Sequence, residues 1–200
     1  MRRMVANEAA VLLYSGLEKE YLQAKIRAAQ ALNVRLLPSN REVAEELDIL
    51  ADEFEGLSRR HRLIRLRKSA LKLMESLFEF KPRLIGSVWR GTATRNSDID
   101  IRVLSDDRNA VERVLRDSGY SILRSVKRLK QDEIGGEVNS SFHIYLKLSD
   151  NVEVEVVVNR DESSEDIDVC EIYGDPMTGL SIEGLRKVLD EDPLRRFLPQ

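Results

Sequence analysis

Residues 97–103 alternate polar and apolar side chains, Ser97-Asp98-Ile99-Asp100-Ile101-Arg102-Val103, and no other pattern in the chain restricts its folding as much. A period of two belongs to a half-buried strand, so the two isoleucines face a core while Asp98 and Asp100 share the opposite face. Adjacent carboxylates repel by about 4 kcal/mol at a separation of ~4 Å and an effective dielectric of ~20. A divalent cation would remove that penalty. Hard oxygen donors without a neighbouring His or Cys favour magnesium or manganese, and magnesium takes one or two carboxylates together with substrate phosphates.

Upstream, Leu84-Ile85 reads as a strand end and Gly86-Ser87 as a turn opening a short helix. Glycine lets the backbone approach an anion closely, and Ser87 with the free amides of the turn supplies donors. Arg90, Thr92, Arg95 and Ser97 add further donors before the aspartates. A phosphate grip and a metal grip are thus joined by one short connection.

The stretch GSVWRGTATRNSDIDI resembles the signature of the nucleotidyltransferase superfamily that includes DNA polymerase beta, CCA-adding enzymes and the minimal nucleotidyltransferases. The likeness runs over roughly residues 82–160, and CEIYGDP at 170–176 is similar to archaeal members. It implies that Gly86 and Ser87, with Arg90, Thr92 and Ser97, contact a nucleoside triphosphate, ATP first among the candidates. It also implies that Asp98 and Asp100 hold two magnesium or manganese ions with a third carboxylate from a neighbouring strand. Residues 141–148 and 152–158 read as a hairpin whose second strand puts Glu153 and Glu155 on one face and Val152, Val154 and Val156 on the other. Glu155, followed by three valines, fits the family's acidic-then-apolar pattern better than Glu153. Glu153 remains the alternative.

The remaining chain predicts helices over roughly 6–32, 40–54, 59–80, 106–117 and 181–190. Ser39 and Glu42 have the spacing of a capping box. Leu63, Leu66, Ala70, Leu73 and Leu77 form an apolar stripe, while His61, Arg65, Lys68 and Lys72 line a basic face. That face reads first as a solvated surface paired with the acidic segment 42–55, and second as a guide for RNA or triphosphate. Arg41 to Leu47 suggests the first helix of a helix-turn-helix, but no recognition helix follows, so a scaffold or dimer surface is the better reading. The polar stretch 131–140, with Gly135-Gly136, is the expected mobile loop, and the acidic run 161–168 a solvated one. His61 and His143 have no partner at metal-binding spacing and read as structural, as does the single cysteine, Cys170.

A hydrophobic content of 42% supports a real core, and a net charge of −3 does not by itself announce a nucleic-acid binder. No apolar run spans a bilayer and no signal-peptide pattern opens the chain, which predicts a cytoplasmic protein without membrane contact. The expected fold is α+β, with an N-terminal helical region (1–80) and a nucleotidyltransferase-type mixed β-sheet flanked by helices (81–200). The expected reaction moves a nucleoside monophosphate from an NTP to a hydroxyl of RNA, protein or a small molecule, releasing pyrophosphate. A non-catalytic nucleotide- or partner-binding module of the same fold is the alternative, and the N-terminal helices are the expected surface for a homodimer or partner.

Overall fold

The structure, a computed structural model, describes residues 1–131, 137–149, 151–159 and 169–199, with only the backbone at 129–131 and 137–140. Three helices open the chain: α1 (Arg2–Ser15), α2 (Tyr21–Ala31) and α3 (Asn40–Glu55). Helix 6–32 was expected to be continuous, but Gly16 takes a left-handed conformation and its amide bonds back to α1 carbonyls, ending that helix. The reversal lets Ala6, Ala9 and Ala10 of α1 pack against Ala24, Ala28 and Ala29 of α2, with Val43 of α3 beside them. α3 starts with the expected capping box: the Ser39 hydroxyl accepts from the Glu42 amide and the Glu42 carboxylate accepts from the Ser39 amide.

α4 (Leu57–Ser76) follows after Gly56 and buries the whole expected stripe, Leu63, Leu66, Ala70 and Leu73, with Leu77 just beyond it. A short 3-10 turn leads to β1 (Arg83–Ile85), α5 (Gly86–Arg90) and β2 (Ile99–Leu104). Then come α6 (Arg108–Asp117), β3 (Ile122–Gln131), β4 (Glu137–Lys147), β5 (Glu153–Asn159) and α7 (Ile182–Glu191). Of the expected loop 131–140, residues 131 and 137–140 are strand, while 132–136, like 160–168, lie outside the described residues.

The five strands form a mixed sheet in the order β1-β2-β5-β4-β3. β2 and β5 pair in parallel, and every other pair is antiparallel. One face is largely apolar: Ile99, Ile101, Val103, Ile144, Leu146, Val154, Val156 and Val158 join α4, Val111 and Leu115 of α6 and Leu185 of α7 in one cluster. α4 therefore shares the sheet's core although it belongs by sequence to the helical region. Polar side chains of the same strands project from the other face, as the period of two requires. The architecture is α+β, and no helix among the described residues is long and apolar enough to cross a membrane.

Candidate active site

Parallel pairing sets Asp100 of β2 directly opposite Glu155 of β5, on the polar face of the sheet. Asp98 lies two residues before Asp100, on the same side. One carboxylate oxygen from each of Asp98, Asp100 and Glu155 lies within 4.8 Å of the others, so each ionised pair repels by at least about 3 kcal/mol at an effective dielectric of ~20. Burial first, then the Asp98 and Glu155 charges, push the Asp100 carboxyl well above its ordinary value; burial and both glutamates raise Asp98. A half-buried trio of hard oxygen donors whose charges repel one another fits a divalent metal. Glu153 is exposed and outside the trio.

Glu155 behaves differently because the next strand holds it. Its Oε1 is 2.5 Å from His143 Nδ1 and accepts from the Tyr145 hydroxyl at 2.7 Å. Burial pushes its carboxyl up, but these bonds outweigh burial and keep it below the usual carboxylate range. The support extends outward: Ser141 Oγ is 2.9 Å from His143 Nε2, and Arg128 donates to the Tyr145 hydroxyl. His143 thus has a partner that sequence spacing missed, because the partner stands across the hairpin and not along the chain. The signal was present in the alternation of Ser141, His143 and Tyr145 opposite the acidic face of β5.

Gly86 sits at the end of β1 with φ +68, and a Cβ there would fall 2.9 Å from the Asp100 Cγ and overlap its carboxylate oxygen. Only glycine lets the turn come this close to the acids. The turn is held from behind by Arg67, which is fully buried on α4. Its guanidinium donates to the carbonyls of Val88 and Trp89 in α5 and of Pro193 and Arg195 near the chain end.

The segment from Thr92 to Ser97 connects the turn to the acids. The Thr92 amide donates to the Ser87 carbonyl, and Ser97 Oγ accepts from the Thr94 amide. Arg59, 5% exposed, clamps the segment to the helices: it donates to the Thr92 and Ala93 carbonyls and to the carboxylates of Asp48 and Asp52. Arg95 and Asn96 donate to the Tyr14 carbonyl of α1. Three acids of α3, Asp48, Asp52 and Glu55, thus pair with Arg59 and Arg62, while His61, Lys68 and Lys72 stay exposed on another face of α4. Between helices and sheet lies a cleft of about 1300 Å³, walled by Leu13, Tyr21 and Asp48 on one side and floored by Gly86, Ser87, Ser97, Asp98 and Asp100.

Of the residues singled out in the sequence, Gly86, Ser87, Arg90, Thr92, Ser97, Asp98 and Asp100 all line this cleft, with Glu155 beside Asp100. Arg90 also has partners away from the turn: it is 4% exposed, ion-paired with Asp175 at 2.6 Å, bonded to the Phe197 carbonyl and placed over the rings of Trp89 and Tyr173. Its donors brace the C-terminal segment. Cys170 is buried, as expected of a packing residue.

The sequence matches the family model described as a nucleotidyltransferase domain over residues 65–164. No curated protein matches it significantly. Solved structures with similar folds include Cid1 in complex with the UTP analogue UMPNPP, at 18% identity over 50% of this chain and 31% of that one (TM-score 0.36). Another is a cytoplasmic RNA terminal U-transferase, at 22% identity over 60% of this chain and 34% of that one (TM-score 0.31). The match spans about a third of the length of these structures, and no activity is carried over from them. The family model reaches from the middle of α4 to just past β5, half of the sequence, and on that match the chain belongs to the nucleotidyltransferase domain family.

Proposed function

We propose that the cleft transfers a nucleoside monophosphate from a nucleoside triphosphate, ATP being the first to test, to an acceptor hydroxyl. The observation that carries this reading is the convergence of Asp98, Asp100 and Glu155 within 4.8 Å, beside a glycine turn that tolerates no side chain. Gly86 and Ser87, with Thr92 and Ser97, hold the triphosphate. Arg90, in the cleft lining, adds positive charge to that grip while its guanidinium holds Asp175 and the Phe197 carbonyl.

The three carboxylates would hold magnesium or manganese, as two ions. Bound metal supplies charge compensation for the phosphates and lowers the pKa of the attacking hydroxyl. Glu155, kept ionised by His143 and Tyr145, accepts a hydrogen bond from that hydroxyl and aligns it. The acceptor oxygen bonds to the α-phosphorus, the bond from that phosphorus to the bridging oxygen breaks, and pyrophosphate leaves with the electron pair. The hydroxyl proton passes through the Glu155 carboxylate to solvent. Positioning and electrostatics carry such chemistry.

The helical region (1–80) walls the cleft, and exposed Leu22, Leu36, Leu37 and Phe54 support a partner or second copy on it. Incubation with each labelled triphosphate, magnesium or manganese and a cell extract tests the reading. Pyrophosphate release with label on a macromolecule or small molecule is expected, and Asp98→Asn must abolish it. Metal-independent partner binding without release would leave a binding module instead.

A further inference from the structure

The polar face of the sheet does not end at the acids. Directly opposite residues run in one line across four strands: Asp100 on β2, Glu155 on β5, Tyr145 on β4 and Arg124 on β3. The neighbouring pairs on the β3 and β4 side of that face are Val126 with His143 and Arg128 with Ser141. At the opposite edge of the sheet, β1 leads into the Gly86 turn. The trio therefore stands between a phosphate-holding turn on one flank and a pair of exposed arginines on the other.

We infer that the β3–β4 rim, through Arg124, Val126 and Arg128, is the acceptor subsite and takes the 3′ end of a single-stranded polynucleotide. This rests on the transfer reading above. In-line displacement needs donor and acceptor on opposite sides of the α-phosphorus, and the strand order puts the triphosphate turn on one side and the rim on the other. Arg124 and Arg128 are four residues apart on β3, about 13 Å at a rise of ~3.4 Å per residue, so they offer two separated anchors for a phosphate chain. Between them Val126, 41% exposed, gives an apolar seat for a base. The Arg124 guanidinium carbon stands over the Tyr145 ring, 4.1 Å from its centroid, and an exposed guanidinium is itself a stacking surface for bases. Arg128, Ser141 and His143 line the cleft, so the rim is continuous with it.

The anchors also stand at the right reach. Arg128 binds the hydroxyl of Tyr145, which binds Glu155, so the guanidinium that would hold an anion at the rim is two hydrogen bonds from the carboxylate that aligns the nucleophile. In a 3′-terminal nucleotide only the sugar separates the hydroxyl from its own phosphate. A protein serine or tyrosine brings no anion at that distance, which favours the polynucleotide.

Binding of a fluorescent 12-nucleotide RNA, measured without triphosphate across a salt series, tests the subsite apart from the chemistry. Arg124→Gln and Arg128→Gln should each weaken binding several-fold and flatten the dependence of log K on log salt by about 0.7. Both arginines touch Tyr145, so Val126→Glu is the decisive variant: it removes no contact to Tyr145 but places an anion on the rim. It should weaken RNA binding at least tenfold while triphosphate affinity and Tm stay unchanged. RNA binding that is absent in the wild type or indifferent to Val126→Glu overturns the subsite. Label transferred to a protein or small molecule with no RNA binding overturns it too, while leaving the transfer reading intact.

Discussion

Gly86 and Asp100 touch so closely that the smallest side chain on one would occupy the carboxylate of the other. Gly86→Ala therefore brings two penalties. An L-residue at positive φ costs about 1–2 kcal/mol, and the Asp100 carboxylate must also swing away from its partners. Calorimetric titration with ATP and magnesium should show at least a tenfold loss of affinity, with Tm lowered by only a few degrees. Unchanged affinity would separate the turn from triphosphate binding.

The acids should also govern stability against pH. A carboxyl raised on folding stabilises fully below its unfolded pKa, near the ordinary 3.8, and that contribution is lost as pH rises through the raised folded value. Asp98 and Asp100 thus make the metal-free protein less stable towards neutral pH. Glu155, held low, acts in the opposite sense and in a lower window, losing its contribution as pH falls below its ordinary 4.5. Thermal unfolding at pH 7.5 without divalent ions should show Asp100→Asn melting above wild type, with transfer reduced on the order of 100-fold or more. Magnesium should raise the wild-type Tm and leave the variant's almost unmoved. A variant melting below wild type without ions would contradict the burial and mutual repulsion that raise Asp100.

What the sequence disclosed follows the reach of each signal. The alternation around Asp98 and Asp100 and the hairpin holding Glu155 are local patterns, and both appear in the fold. Which glutamate meets Asp100 was left open, because Glu153 and Glu155 share a face and only the parallel register with β2 separates them. His143 went unrecognised since its partner is across a hairpin. Arg59 and Arg67 looked like members of a charged helix, because their partners are mainly backbone carbonyls from distant segments, which residue identities do not show. One glycine, Gly16, divided a helix whose pattern continued past it.

Burial pushes the Arg67 guanidinium down to about 10, yet its four carbonyl partners keep it in place. Arg67→Met keeps the volume and strands those carbonyls, at a cost of about 3–5 kcal/mol by analogy with broken buried charge networks. The corresponding fall in Tm is roughly 10 °C. Arg67→Lys should recover little, since an ammonium cannot reproduce the planar fork. Full recovery by lysine in a thermal melt would count against the geometry.

Arg59→Lys should act on the nucleotide rather than on the core. It leaves α3 paired through one charge but frees the Thr92 and Ala93 carbonyls, so the connection to Asp98 loosens. Titration should give a several-fold weaker triphosphate, with stability reduced by about 2 kcal/mol. Lower stability with unaltered affinity would show that the segment is braced for the fold alone.

Parallel pairing between β2 and β5 has a consequence in time as well as in space. Asp100 and Glu155 belong to segments separated by a helix and a whole hairpin, so no local fragment contains the centre. Contacts of such long sequence separation form late. A nascent chain would have its helices and its glycine turn in place while still unable to gather the three acids, and competence would arrive in one step, with the seating of its last strand.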